Sequence, residues 1–253
     1  MQIKIFRANQ DNYLYLIHDE ITGSTALIDA SDENAVLKAL DESGWTLSDI
    51  FITHHHLDHT DALLALKKRF NVKVSGPLLE STKISGLDRL VKGGDSIQLG
   101  SLEFDILDLG GHTNGHIGYF ETKGKHLFSG DALFSLGCGR MFEGTPEQMW
   151  VGLERIKQLP NETKIYCGHE YSAANAAFAL SIDANNEMLK ARKTEIEQQL
   201  ASGEPTIPVT LKQEKATNPF LRADDREFTK VLNMQDKQPS EIFAFIRKAK
   251  DVF

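Results

Sequence analysis

The chain has 253 residues, 41% hydrophobic and 25% charged, with two cysteines and a formal net charge of −8. That balance belongs to a folded globular protein and excludes a disordered chain, while the excess of acid disfavours a nucleic-acid surface. No apolar run approaches membrane length, Met1 to Arg7 shows no signal-peptide pattern, and Cys138 and Cys167 form no CxxC pair, so a cytoplasmic protein free of disulfides and membrane contact is expected.

Alternating apolar positions in Tyr13–Ile17 and Thr25–Ile28 predict two strands paired across the turn Ile21-Thr22-Gly23-Ser24. A helix from about Glu33 to Ser43 follows, with Val36, Leu37 and Leu40 on one face, and then a strand from Asp49 to Ile52. Thr60 to Arg69 is rich in helix formers, and Val72-Lys73-Val74 reads as a short strand. Gly76 to Gly94 has no strong period and is assigned as mostly loop. Strand signals resume at Ser96–Leu99, Leu102–Leu107, Ile117–Phe120 and His126–Phe128, with glycines between them. Thr145 as N-cap and Pro146 in the first turn mark a helix to Gln158, before the strand Lys164–Tyr166.

From Ser172 the pattern becomes helical, over Ala173–Leu180, Glu187–Leu200, Asp224–Leu232 and Pro239–Lys250, with breaks at Pro205 and Pro208. Mixed strands and helices followed by helices alone predict an α/β sandwich over residues 1–170 and a helical domain over 171–253.

Chemistry concentrates in Thr53-His54-His55-His56-Leu57-Asp58-His59, directly behind an apolar strand. Three adjacent histidines can be a tag or a surface cluster, but an internal position behind a buried strand argues against both. If strand alternation persists, His54 and His56 project to one side and His55 to the other. A turn into helix then swings Asp58 and His59 toward the same point. Imidazole with carboxylate suits zinc, iron or manganese rather than calcium or magnesium. Ligand types also follow strand signals at His112, Asp131 and His169, within Gly-Gly-His-Thr, Ser-Gly-Asp and Cys-Gly-His-Glu-Tyr. Alone, His112 or His169 reads as a hydrogen-bonded core histidine and Asp131 as a turn residue or helix cap; together with the central stretch they point to one metal centre.

His-X-His-X-Asp-His followed in order by Gly-His-Thr, Gly-Asp and Gly-His resembles the metallo-β-lactamase superfamily. Asp11-Asn12-Tyr13, Gly137 to Thr145, Cys167 to Tyr171 and Asn218-Pro219-Phe220-Leu221-Arg222 narrow the resemblance, nearly end to end, to the glyoxalase II (hydroxyacylglutathione hydrolase) family. The resemblance implies a four-layer αβ/βα sandwich with a helical C-terminal domain, and two divalent cations per chain. It implies His54, His56 and His112 on the first cation, Asp58, His59 and His169 on the second, and Asp131 bridging them; His55, His116 and Cys167 are not ligands in that pattern. Asp58 and Asp131 are the carboxylates expected to serve catalysis. Zinc is the expected metal, with iron or manganese as alternatives.

Such a pair lowers the pKa of a shared water from 15.7 to about 7, so a thioester such as S-D-lactoylglutathione needs no serine or cysteine nucleophile. No GxSxG elbow is present. A thiolate leaving group of pKa about 8.5 needs no strong acid. Asp29, at a strand end, is expected to accept the second ring proton of a ligand histidine, although Ala30-Ser31 stands where the family tends to have proline and glycine. The resemblance places glutathione on Arg140, Phe142 (where tyrosine is common), Tyr171, Arg247 and Lys250. A lysine or arginine near a helix C-terminus also serves the helix dipole. The rival expectation is a mononuclear iron dioxygenase of the same fold acting on glutathione persulfide, for which Asp58, His59 and His169 would be partly redundant. A monomer working on a small-molecule glutathione thioester is expected.

Overall fold

In the computed structural model, which describes residues 1–253, the chain opens as an antiparallel meander of β1 (Gln2–Ala8), β2 (Asn12–His18) and β3 (Thr25–Ile28). The β2–β3 register sets Tyr15 opposite Ile28 and Ile17 opposite Ala26, across the expected turn. α1 (Glu33–Ser43) starts where the Asp32 carboxylate accepts hydrogen bonds from the backbone N–H groups of Asn34 and Ala35. It crosses over to β4 (Asp49–Phe51), which lies parallel to β3.

α2 (Leu57–Thr60) and α3 (Leu63–Phe70) come next, where one helix was expected, and lead to β5 (Lys73–Pro77) and β6 (Arg89–Val91). The expected loop at Gly76–Gly94 therefore contains the end of β5, a single 3₁₀ turn at Leu78–Glu80 and β6, which pairs parallel to β5. Three residues with one buried side chain are too few to carry a period. β1 carries no clear strand signal in the sequence, because it is a sheet-edge strand with mostly half-buried residues.

The second sheet holds β7 (Ser96–Leu99), β8 (Leu102–Asp108), β9 (Ile117–Glu121), β10 (His126–Gly130) and β11 (Lys164–Cys167), with α4 (Pro146–Lys157) between the last two. Thr145 and Gln148 close α4 with a reciprocal capping box. α5 (Ser172–Ile182) and α6 (Glu187–Ala201) follow. The chain then returns as β12 (Val209–Thr210), antiparallel to β11, before α7 (Leu211–Thr217), α8 (Arg226–Val231) and α9 (Pro239–Asp251). The segment after residue 170 is thus not helical throughout: β12 extends the second sheet. Its two residues leave no alternation to read.

Burial explains the layers. On β2, Leu14 and Leu16 face α1 and α3, packing with Val36, Leu40, Leu63 and Leu66. Tyr13, Tyr15 and Ile17 face the other way, packing with Phe104, Ile106, Tyr119 and Phe128 between the sheets. A strand apolar on both faces requires cover on both sides. On the outer face of the second sheet Leu127 and Ile165 pack with Trp150, Leu153, Phe220, Phe243 and Ile246 from α4 and the C-terminal elements. The order is helix, sheet, sheet, helix. The strand ends that carry Thr53, Asp131 and His169 meet at one edge, where backbone bonds join Tyr13 N to Gly168 O at 2.8 Å and Gly168 N to Gly130 O at 2.9 Å.

Candidate metal centre and pocket

Beyond β4 the chain stays extended just long enough to send His54 inward and His55 outward. His54 Nε2 lies 3.1 Å from His56 Nδ1, which lies 3.0 Å from His112 Nε2. α2 then brings Asp58 and His59 round, so that Asp58 Oδ2 is 3.3 Å from His169 Nε2 and 3.6 Å from His59 Nε2. Asp131 stands between the clusters: Oδ1 is 3.4 Å from His59 Nε2, and Oδ2 is 3.3 Å from His169 Nε2 and 3.5 Å from His112 Nε2. All seven expected ligand positions converge, as the groups His54/His56/His112, His54/His59/Asp131 and Asp58/His59/His169.

The arrangement fits cations on three grounds. Ring nitrogens crowd together at distances where each shared proton satisfies only one pair. The buried Asp131 Oδ1 has no hydrogen-bond partner, a cost that a cation would remove. Gly168 leaves room, since a Cβ there would sit 2.2 Å from Asp131 Oδ1.

Electrostatics divides the two clusters. Burial, reinforced by neighbouring histidines, pushes His54, His56 and His112 below the usual imidazole range, which leaves neutral rings with free lone pairs. Burial acts the same way on His169, but hydrogen bonds to Asp131 and Asp58 outweigh it and hold the ring up at about 10. Asp131 is held well below the carboxylate range, because His59 and His169 overcome its burial. A cation would take the place of the proton that these carboxylates keep on the His169 ring.

Four of the five cage histidines, all but His56, are fixed from outside through their other nitrogen. His59 Nδ1 is 2.8 Å from Asp29 Oδ2, the contact expected of Asp29, whose Oδ1 also accepts from Thr53 N at 2.8 Å. Ala30 keeps the departing turn in service by donating its N–H to His59 O at 2.8 Å. Four supports were not read from the sequence as supports: Asp11 Oδ1 at 2.9 Å from His169 Nδ1, Arg140 O at 2.8 Å from His112 Nδ1, Thr53 Oγ1 at 2.9 Å from His54 Nδ1, and His116 Nε2, which accepts from Asp131 N at 3.0 Å. Asp11 stood in a motif; the Arg140 carbonyl had no signal at all.

A cavity of about 910 Å³ opens from the cage, lined by His56, Asp58, His112, Asp131 and His169 at one end and by Arg140, Arg247 and Lys250 at the other. Phe142 projects at the rim, edge-on to His56 and His112. Tyr171 stacks on His169 with centroids 4.9 Å apart, and burial with nearby carboxylates raises its hydroxyl to about 12. Arg247 is only 4% exposed and so is no solvated helix face. It donates to Cys138 O at 2.9 Å and pairs with Asp251 at 2.9 Å. Lys250 donates to Ala174 O at 3.1 Å and sits over the rings of Phe178 and Phe253. Both cysteines are buried and unpaired.

The family model described as Metallo-beta-lactamase superfamily matches residues 11–169, and that described as Hydroxyacylglutathione hydrolase C-terminus matches residues 170–253. A hydroxyacylglutathione hydrolase of Chelativorans sp. is 47% identical over 253 residues, covering 100% of this chain and 99% of that protein. One of Ruegeria pomeroyi is 47% identical over 243 residues, 96% of this chain and 95% of the relative. Among solved structures, ETHE1 from Myxococcus xanthus superposes with a TM-score of 0.70 at 28% identity, over 98% of this chain and 90% of that one. The B3 metallo-beta-lactamase BLEG-1 shares the fold at a TM-score of 0.68 and 20% identity, over 87% of this chain and 99% of that one. The chain belongs to the hydroxyacylglutathione hydrolase family of the metallo-beta-lactamase superfamily.

Proposed function

We propose that this enzyme hydrolyses S-(2-hydroxyacyl)glutathione thioesters, S-D-lactoylglutathione among them, to a 2-hydroxy acid and glutathione. The observation that carries the reading is the single cavity running from the histidine–carboxylate cage to Arg140, Arg247 and Lys250. A substrate with a thioester at one end and a carboxylate at the other spans those two regions.

The residues divide the work. His54, His56 and His112 would hold one divalent cation and Asp58, His59 and His169 a second, with Asp131 available to both. Zinc is the first assignment, and the same donors also take iron or manganese. When bound, the pair supplies Lewis-acid chemistry, making a water acidic enough to attack near neutral pH and opposing charge on the carbonyl oxygen. Arg247 and Lys250, each fixed by a backbone carbonyl, orient the terminal carboxylate, with Arg140 beside them. Phe142, edge-on to His56 and His112, and Tyr171, stacked on His169, line the cavity beside the cage and would contact the glutathione thioester there. The Asp58 carboxylate faces the cavity, steadied by Asn12 Nδ2 at 3.3 Å, and is placed to take the proton released in the attack. The thiolate leaves unprotonated, so no separate acid is required.

Residues 1–170 carry the chemistry and residues 171–253 close the substrate end. We assign the work to a monomer in the cytoplasm, in keeping with two unpaired buried cysteines and with no helix long and apolar enough to cross a membrane. The rival dioxygenase reading is disfavoured, because Asp58, His59 and His169 converge as fully as the other cluster and the identity to hydrolases is 47% against 28% to ETHE1.

The test is thioester hydrolysis of S-D-lactoylglutathione, followed by loss of thioester absorbance and release of free thiol. Activity should vanish after chelation and return with about two equivalents of cation per chain. A stripped enzyme that still turns over, or oxygen uptake with glutathione persulfide in place of hydrolysis, would sink the reading.

A further inference from the structure

One histidine of the central motif is not turned into the cage. His55 points away, with Nδ1 2.9 Å from Glu80 Oε2 and Nε2 3.5 Å from Glu143 Oε1. Glu80 comes from the 3₁₀ turn after β5 and is 1% exposed. Its other oxygen accepts from Gly115 N at 3.0 Å and from the Thr113 hydroxyl. One buried carboxylate therefore ties the loop that carries His54 and His56 to the loop that carries His112. Gly115 is shaped to this contact: a Cβ there would lie 2.5 Å from Glu80 Cγ. Glu143 repeats the tie nearer the surface, accepting from Asn114 N at 2.9 Å, facing His55, and pairing with Lys83 at 2.5 Å. That lysine marks the group as an ion-paired strut, with its charge already met.

The other cluster has different supports. His59 leans on Asp29, His169 on Asp11 and Asp58 on Asn12, and none of these contacts involves Glu80. We propose that Glu80 is a positioning residue that fixes the spacing of the two loops, and that it governs retention of the cation at His54, His56 and His112 while leaving the other cation untouched. The inference rests on the two-cation reading above. Removing Glu80 leaves three donors, from His55, Thr113 and Gly115, without their buried acceptor, and the loops shift to find others. A metal site tolerates misplacement of only about 0.5 Å.

The experiment titrates metal-free protein with Zn²⁺ against a competing chelator, with circular dichroism to confirm folding. Wild type should take two ions. Glu80→Ala should take one ion at wild-type affinity and bind the other about 10–100-fold more weakly. Glu80→Gln, which keeps one acceptor oxygen, should fall between. Asp11→Asn should weaken one ion as well, and the double variant Glu80→Ala/Asp11→Asn should lose both, because the two carboxylates serve different ions. Thr113→Val removes one of the three donors with little change in shape, and should weaken the same ion by a smaller factor even where Glu80→Ala fails to fold.

Equal loss of both ions in Glu80→Gln, wild-type binding in both Glu80→Gln and Thr113→Val, or a double variant that still keeps one tight ion would overturn the proposal. A wild type that takes fewer than two ions would instead bring down the two-cation reading, and the inference with it.

Discussion

The cage and the substrate end of the cavity are built on opposite plans. In the cage, nearly every functional atom is held through a second atom of the same side chain: Asp29 behind His59, Asp11 behind His169, Arg140 O behind His112. At the far end Arg247 alone is held at several atoms, by Cys138 O and Asp251, whereas Lys250 has one hydrogen bond and Arg140 projects freely with Asp251 as its nearest partner at 3.7 Å. The cage needs positions fixed to fractions of an ångström, since ligands must converge on a point. Recognition of a carboxylate by guanidinium and ammonium tolerates more slack, because charge attraction falls off gradually with distance. Substitutions in the two regions should therefore fail in different ways.

The largest effect is expected at Asp29. Its backbone lies in the left-handed region, with φ 58°, where asparagine is tolerated but alanine adds strain. Asp29→Asn keeps an acceptor for Thr53 N yet turns an amide N–H toward His59 Nδ1. The ring must then accept at Nδ1 and carry its proton on Nε2, the atom that faces Asp131 and His169. Cation affinity should fall about 10–100-fold with the thermal midpoint of the metal-free protein nearly unchanged. Unaltered metal content after dialysis against chelator would show that the cage does not depend on its outer supports.

A smaller effect, of a different kind, is expected at the cavity's other end. Arg247→Ala should raise KM about 10-fold while kcat changes by no more than about 2-fold, as expected if the guanidinium binds a part of the substrate remote from the reacting bond. Metal content should not change. A defect in kcat alone would mean that Arg247 acts through Cys138 O on the loop that carries Asp131, and the division between the two regions would blur.

The division also explains what could be read from the sequence. Candidate ligand types that follow strand ends announce themselves by spacing, and the structure brings His54, His56, His112, Asp131, Asp58, His59 and His169 together. Their supports are tertiary: Asp11 and His169 are 158 positions apart, and Glu80 sits in a segment without any period. A carbonyl such as that of Arg140 has no residue-type signal, because every residue has one. β12 was invisible for the opposite reason, as its two residues are strand only because β11 offers an edge. The helical pattern around Arg247 shows a cation near a helix end, but its burial depends on the loop at Cys138, which no helical pattern specifies.

The smallest effect tests the joint between the regions. Glu214 on α7 is fully buried and accepts from Leu136 N at 2.9 Å, Asn218 Nδ2 at 2.8 Å and Ser135 Oγ at 3.3 Å, so it clamps the loop that leads from Asp131 to Cys138. Burial pushes its carboxyl up to about 7 from an ordinary 4.5, against the pull of those hydrogen bonds. The folded state thus binds this proton more tightly than the unfolded chain. The contribution to stability is fully present below pH 4.5, declines as pH rises to about 7, and is constant above. Glu214→Gln can keep its carbonyl toward Leu136 and Asn218 and donate to Ser135 Oγ, which removes the titration but retains the clamp. Its thermal midpoint should match wild type near pH 4.5 and exceed it by a few degrees at pH 8. A constant difference across that range would remove Glu214 as the titrating group. If cation affinity is also unchanged at pH 8, the clamp stabilises the wall without tuning the cage; if it shifts with the midpoint, α7 reaches Asp131 through the loop it holds.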